Sequence, residues 1–432
     1  MAEETLLTDD FLRQLINVGE VDILVGLATH NNAKTIEPVL QAIQAGILKC
    51  FPRERAVIIN ADGGSQDGTP ELVVGASIDD LRKDDLRDEP RKGSKVYALR
   101  TFPSISTRYA RSPEPGTALR TILAAADLLR ARACVLISPD STTIEPDWVQ
   151  RLVRPVYNDD FDLVSPVYRR QKFEGVLMRN LLYPMTRAIY GYGIREPYAS
   201  EFAISGRLAT DFLAKEIWSD EWSRSGPEIC LTVTALTGKY RVCQSFLGEK
   251  TPDRSGGDLV EAMRRTVGAL FWSLDSNFPI WSTIAGSQPV STVGAPSQAE
   301  DMAEPVRVNR KRLQQMFATG VAELEPVFQS ILSASTLAEL QRIAALEAGE
   351  FHYPADVWAK TVFEFAASYH KSVISRDHIV QALVPLYRGR TLSFLLENRE
   401  APEGDIEKNV ESLCGEFERS KPYLLEVWAD KK

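Results

Sequence analysis

The sequence is short of the residues that hold soft metals or staple small folds. Its five cysteines (Cys50, Cys134, Cys230, Cys243, Cys414) are scattered without a CxxC pair, and its four histidines (His30, His352, His370, His378) are equally dispersed. An odd number of cysteines without metal-type spacing argues for reduced, buried thiols rather than disulfides or a zinc site. No apolar stretch is long enough to span a bilayer. The opening MAEETLLTDD is acidic where a signal peptide would be basic and then apolar. A cytoplasmic protein without a membrane span is the expectation. Basic charge is also short: 50 Lys and Arg against 59 Asp and Glu leave a net charge of -9. That balance excludes a general nucleic-acid or anionic-membrane binder, while leaving room for local basic clusters around a small anion. No internal repeat or low-complexity tract is evident, and no GxGxxG follows the first apolar run, which argues against a dinucleotide-dependent dehydrogenase.

What is present is a globular composition, 44% hydrophobic and 25% charged, over 432 residues. That length predicts two domains. Thr8-Asp9-Asp10 before Phe11, Leu12, Leu15 and Ile16 reads as a capped leading helix. Val21–Ala28 and Ala56–Asn60 are near-continuous apolar runs, the form of strands buried on both faces. Each leads through a polar turn into a helical pattern, Ile36 to Ile47 after the first and a helix capped by Thr69, with Pro70 at its first position, after the second. A short strand candidate at Lys95–Leu99 and a helix opened by Gly116-Thr117 lead to the strand Cys134–Ile137, and Phe161–Val167 adds another. Strand, polar turn and helix in repetition predict an α/β doubly wound sheet. Tyr192–Phe202 reads as an ordered aromatic loop. From Asn277 to Pro305 the composition shifts to Ser, Pro, Gly and Ala, and helical patterns fill the remainder. The expected division is an α/β domain over 1–285, a linker over 286–305 and an all-helical domain over 306–432.

Ligands of open α/β sheets bind at the carboxyl ends of strands. Asp140 stands at such an end, after Ser138-Pro139 and before Ser141, Thr142 and Thr143. A carboxylate among hydroxyls suits a hard divalent cation, Mg2+ or Mn2+, and through it a diphosphate. Asp62 ends the second apolar run and could accept hydrogen bonds from a ribose or base edge, with Gly63 and Gly64 letting backbone approach a nucleotide. A plain turn and helix cap is the competing reading. Arg169, Arg170 and Lys172 form a basic cluster past a strand end, suited to a carboxylate or phosphate or simply to an exposed loop. Tyr168, Tyr192 and Tyr198 either stack on a ligand or pack.

The stretch Ile59-Asn60-Ala61-Asp62-Gly63-Gly64-Ser65-Gln66-Asp67-Gly68-Thr69 resembles the nucleotide-binding segment of family 2-like glycosyltransferases with the GT-A fold. Asp140 matches the second carboxylate of that family's DxD metal motif, and Glu145-Pro146-Asp147-Trp148 matches the helix start that follows. Pro146-Asp147-Trp148, Arg195-Glu196-Pro197, Glu201 and the tail around Trp358–His370 are similar to the mannosylglycerate and glucosyl-phosphoglycerate synthases. The resemblance covers roughly residues 20–250. It implies a retaining hexosyltransferase that moves glucose or mannose from a nucleotide-diphosphate sugar to a small anionic acceptor such as glycerate or 3-phosphoglycerate. Transfer by front-face attack is implied, with the leaving phosphate taking the acceptor proton, rather than double displacement through a protein carboxylate. By the same resemblance Thr29, His30, Asn31, Asp62, Gly63, Gly116 and Ser138 would serve the donor. Glu201 and Asp140 would stand at the reacting centre, and Arg169, Lys172, Tyr198 and Glu228 would hold the acceptor.

Three positions depart from the family pattern. Ser138 replaces the first carboxylate of the metal motif. The basic residue expected before the diphosphate glycine is absent at Glu114-Pro115-Gly116, where Arg108, Arg111 and Arg120 are nearby substitutes or solvated surface residues. No histidine stands near Thr251-Pro252-Asp253, so Asp253 is expected either to join Asp140 on the metal or to sit in a surface turn. The alternatives left open are a homologue that binds nucleotide-sugar or a protein partner without turnover, and a transferase acting on a lipid or polysaccharide. The helical tail, with Trp358, Val362, Phe363, Phe365, Ala366 and Tyr369 at helical spacing, is expected to form a core or a homodimer contact.

Overall fold

The computed structural model describes residues 7–78, 102–109, 113–221, 225–250, 258–294, 309–347 and 349–430. The strands are β1 (Ile23–Thr29), β2 (Ala56–Asp62), β3 (Ser104–Arg108), β4 (Ala133–Leu136), β5 (Leu163–Arg169), β6 (Tyr192–Gly193), β7 (Phe202–Ser205), β8 (Val242–Glu249), β9 (Gln288–Pro289) and β10 (Thr292–Val293). The first helices are α1 (Asp9–Val18), α2 (Ile36–Cys50), α3 (Thr69–Gly75), α4 (Pro115–Leu128) and α5 (Pro146–Asp159). The expected strand at Lys95–Leu99 lies outside the described residues, as does most of the expected linker.

The chain forms two compact units, and both are discontinuous in sequence. The first comprises Met1–Pro166, Ser200–Ser219 and Tyr240–Leu247; the second comprises Val167–Ala199, Asp220–Lys239 and Gly248–Lys432. The expected division at 286–305 therefore does not coincide with the packing. Three segments assigned by position to the α/β domain, Val167–Ala199, Asp220–Lys239 and the stretch 248–285, cluster instead with the helical unit.

The first unit is built on a mixed sheet in which β8-β5-β7-β4-β1-β2-β3 are neighbours in that order. β4, β1, β2 and β3 run parallel, and β7 is antiparallel to both β4 and β5. All seven residues of β2 are buried, and only Ala28 is exposed in β1, as expected of strands covered on both faces. α1 is capped by Thr8, whose Oγ1 accepts from Phe11 N at 3.3 Å, and it buries Phe11 and Leu15. α2 buries Ile36, Val39, Leu40, Ile43 and Ile47 on one face. It approaches α5 so closely that a Cβ at Gly46 would lie 2.4 Å from the Pro146 carbonyl oxygen. Thr69 does not cap α3 as expected. It is the first helical residue, Gly68 takes the cap position at φ +87°, and Asp67 Oδ1 accepts from Thr69 N at 3.1 Å and from its hydroxyl at 2.6 Å. A carboxylate is the stronger acceptor, so the aspartate ends the turn and the threonine becomes its donor.

The second unit is helical, with a small parallel pair β6–β9. It contains the helices Tyr183–Tyr190, Pro227–Thr237, Ala269–Trp281, Arg310–Glu323, Glu325–Ile331, Ala334–Ala344, Ala355–Lys371, Arg376–Glu397 and Glu403–Ala429. Tyr183 packs with Phe394, Ile406, Val410 and Cys414. Trp358, fully buried, donates its indole N–H to Asn180 O at 2.7 Å. Arg390 is equally sequestered; it donates to Asn180 Oδ1 at 3.0 Å, to Tyr353 O at 2.9 Å and to the Glu397 carboxylate. Satisfaction of every such buried charge is what makes it tolerable in a core. Among the described residues no helix is long and apolar enough to cross a membrane.

Candidate active site

Parallel pairing aligns the ends of β1, β2 and β3, so that Thr29, Asp62 and Arg108 fall in one row at the carboxyl edge of the sheet. β4 ends at Leu136 beside β1, and the chain runs on through Ser138 to Asp140. Because β7 is antiparallel to β4, with Phe202 opposite Leu136, Glu201 enters the sheet at that same edge. Three separate stretches of sequence are thus delivered to one rim by topology.

Asp62 is 2% exposed. Its Oδ2 accepts from Gly64 N and Ser65 N, both at 2.9 Å, and its Oδ1 accepts from the Ser65 hydroxyl. The Thr29 hydroxyl is shared between Asn60 Oδ1 at 2.9 Å and Asp62 Oδ1 at 3.0 Å. Gly64 lies at φ +86°, a left-handed conformation that a side chain would strain. A Cβ on Gly63 would meet the Tyr109 hydroxyl at 3.1 Å and Pro113 Cα at 3.2 Å. The Tyr109 hydroxyl also accepts from Glu114 N at 2.9 Å, just before α4, whose first turn carries the buried Gly116.

The loop after β1 is laced to the loop after β2. His30 Nδ1 lies 3.1 Å from Gly63 O and its Nε2 lies 3.1 Å from Asn31 Nδ2, which fits the Nδ1–H tautomer. Asn31 N donates to Ser65 Oγ, Gln66 N to Asn31 Oδ1, Asn32 N to Thr69 Oγ1 and Ala33 N to Asp67 Oδ2, each at 2.9 Å. The Thr69 hydroxyl, with the N–H groups of Ala33 and Thr69, holds the Asp67 carboxyl below the usual range.

Asp140 is exposed. Its Oδ1 accepts from Asn32 Nδ2 at 2.9 Å and from the Thr35 hydroxyl at 2.8 Å. Its N–H donates to Ser138 Oγ at 3.3 Å. The next residue, Ser141, donates its hydroxyl to Glu201 Oε1; both side chains are buried, Glu201 completely. Asp62, Asp140 and Glu201 are thereby connected through Thr29, the 30–32 peptide, Asn32 and Ser141. Sequence reading did not single out Asn32, Thr35 or Ser141 for this role. Their partners lie 108, 105 and 60 residues away in the chain, a separation that no local pattern reports.

The residues expected to serve an acceptor belong to the second unit. Arg169 pairs with Glu249 at 3.0 Å, leaving its buried Nε without a partner. Arg170 grips Glu196 in two bonds of 2.9 and 2.8 Å. Lys172 donates to the carbonyls of Arg399 and Ala401 at 2.8 and 2.7 Å. Burial raises the carboxyl pKa of Glu228, whose Oε2 has no partner, and pushes the Tyr198 phenol up as well. Of the other arginines considered for the diphosphate, Arg120 lies over the Trp218 ring at 5.9 Å, and Arg111 is outside the described residues.

Asp253, expected on the metal, is likewise outside the described residues. Among the described residues no three His, Cys, Asp or Glu side chains are gathered to hold an ion. Asp140 does offer one free carboxylate oxygen, with the Ser138 hydroxyl next to it. That donor set fits a cation of the Mg2+ kind, which commonly takes one protein carboxylate and completes its shell with water and phosphate.

No protein-family model matches the chain, and no curated protein matches it. Among solved structures it is similar to glucosyl-3-phosphoglycerate synthase from Mycobacterium tuberculosis in complex with Mn2+, uridine diphosphate and glucosyl-3-phosphoglycerate. That likeness has 20% identity and a TM-score of 0.42, covering 63% of this chain and 84% of that one. The complex of the same enzyme with Mn2+, uridine-diphosphate-glucose and phosphoglyceric acid gives 20% identity and a TM-score of 0.41, covering 62% and 83%. A structure described as a mycobacterial protein gives 20% identity and a TM-score of 0.41, covering 63% and 79%.

Proposed function

We propose that the chain is a glycosyltransferase that moves a hexosyl group from a nucleotide-diphosphate sugar to a small anionic acceptor, glycerate or 3-phosphoglycerate in type. The observation that carries this reading is the hydrogen-bonded connection of Asp62, Asp140 and Glu201 at the carboxyl edge of the parallel sheet, where open α/β sheets bind ligands. The laced loops 29–33 and 62–69 form the donor side. Asp62 spends its oxygens on holding the turn, and the Gly63 N–H and carbonyl are engaged by Thr29 O and His30 Nδ1, so the exposed rims at His30 and Asn31 are left to meet the nucleotide. Asp140, through its free oxygen, would hold a Mg2+ or Mn2+ ion with Ser138 at hand. When bound, that ion offsets the charge that develops on the departing diphosphate. Glu201, sequestered and clamped by Ser141, acts as a positioning residue beneath the Asp140 loop rather than as a nucleophile.

Front-face transfer with retention is the course we propose for this site, and the burial of Glu201 against Ser141 supports it. The bond from the anomeric carbon to the β-phosphate oxygen breaks and the acceptor oxygen bonds to the same carbon. The acceptor proton passes to the departing phosphate, so no protein carboxylate need form a covalent intermediate. Arg169, whose Nε lacks a partner, is the guanidinium of the acceptor cluster with donor capacity to spare for a carboxylate or phosphate.

The test is a panel of nucleotide sugars incubated with Mg2+ or Mn2+ and glycerate or 3-phosphoglycerate. Nucleoside diphosphate should be released with at least one donor, and Asp140→Ala should slow release by ~100-fold or more. A second reading, a homologue that binds donor without turnover, is favoured by the single charged ligand at the metal position. Donor binding without release, unchanged in Asp140→Ala, would establish that reading instead.

A further inference from the structure

We infer that Asn32 and Thr35 are positioning residues for Asp140: together they occupy one carboxylate oxygen and present the other, Oδ2, as the chain's single-point ligand for a divalent cation. This rests on the assignment of Asp140 to the metal. Both donors converge on Oδ1, at 2.9 Å from Asn32 Nδ2 and 2.8 Å from the Thr35 hydroxyl. Among the described residues nothing in the chain donates to Oδ2.

The Asn32 amide cannot turn to offer its oxygen instead. Its Oδ1 accepts from His30 N at 2.7 Å, and its own N–H is anchored on Thr69 Oγ1. Rotating the amide would break the His30 bond and set oxygen against oxygen at Asp140. The side chain is 8% exposed, so water cannot readily replace either contact. Asn32 therefore fixes the carboxylate from the donor side, because the His30 and Thr69 contacts belong to the two loops that flank the nucleotide position. Thr35, one residue before α2, adds the second donor from the helix start.

Two consequences follow for the ion. A carboxylate with one oxygen doubly occupied binds through the other alone, so the remaining coordination positions stay with water and phosphate. Ligand orientation by hydrogen-bonded neighbours also sets affinity: loss of such a partner typically weakens metal binding 10–100-fold.

The experiment measures Mn2+ affinity by electron paramagnetic resonance on the full chain with excess UDP or GDP, corrected for nucleotide alone, alongside thermal unfolding. Asp140→Ala should abolish protein-dependent Mn2+ binding. Asn32→Ala and Thr35→Val should each weaken it about 10–100-fold, and Thr35→Ser, which keeps the hydroxyl, should restore it. If Asn32→Ala does not fold, the Thr35→Val and Thr35→Ser pair decides the matter. Wild-type affinity in folded Asn32→Ala or Thr35→Val, with Asp140→Ala defective, overturns the positioning role alone. Mn2+ binding that is absent in the wild type, or unchanged in Asp140→Ala, overturns the metal assignment and the positioning role with it.

Discussion

Asp62 carries four hydrogen bonds on two oxygens, from Gly64 N, Ser65 N and the hydroxyls of Ser65 and Thr29. Its removal strands buried donors, and Asp62→Ala should lower unfolding stability by roughly 2 kcal/mol, read from urea denaturation midpoints. A stability change below ~0.5 kcal/mol would show that water replaces the carboxylate at no loss. Lys421 supplies a pH-dependent counterpart. It donates to the carbonyls of Ile189 and Ile284 at 3.0 and 2.7 Å, and burial pulls its pKa down to about 8 against a weaker opposing effect of Glu418. The unfolded chain then holds more protons than the folded one between about pH 8 and the ordinary lysine value, so this residue's contribution to stability rises with pH through that window. The stability of the wild type relative to Lys421→Met should increase from pH 7 to pH 10 in denaturant titrations. A constant difference would show that the amine titrates normally. At this scale the sequence revealed Asp62 and Asp140, because a carboxylate directly after an apolar strand is a local signal. It did not reveal Asn32, Thr35 or Ser141, whose meaning depends on which strand lies beside which.

Elements were legible in proportion to their length and regularity. β1 and β2 are apolar on both faces and α2 repeats its apolar positions over four turns' spacing, so period alone identifies them. β7 was not foreseen: Phe202–Ser205 is only four residues long and lies at the end of a stretch that reads as an aromatic loop. Its strand character comes from pairing with β4 on one side and β5 on the other, and that pairing is what brings Glu201 to the rim. Packing between elements makes its own prediction. Gly46 lets α2 touch α5, where a Cβ would strike the Pro146 carbonyl and the Val149 side chain at 3.0 Å. Gly46→Val should destabilise by about 1–3 kcal/mol through forced separation of the helices, seen as a lower melting temperature. Unchanged melting would mean that the helices part freely.

For the molecule as a whole, linear position proved a poor guide to membership. The shift in composition after Asn277 suggested an independent helical domain over 306–432, yet the second unit also draws on Val167–Ala199 and Asp220–Lys239. Composition records where a chain is loosely built, not which surfaces it later covers. The excised fragment 306–432 should therefore fail to unfold cooperatively and should bind an apolar dye, since Trp358, Phe394, Ile406 and Cys414 would lose Asn180 or Tyr183 as neighbours. A sharp melting transition in that fragment would show that it is self-sufficient. The interleaving also sets a schedule for the ribosome. The first unit has all of its residues once Leu247 is made, whereas Tyr183 waits for Val410 and Cys414. At ordinary translation speeds of about 5–20 residues per second, that wait is on the order of 10–50 s. Throughout it, the nascent helix Tyr183–Tyr190 would carry an apolar face that its later partners have yet to cover.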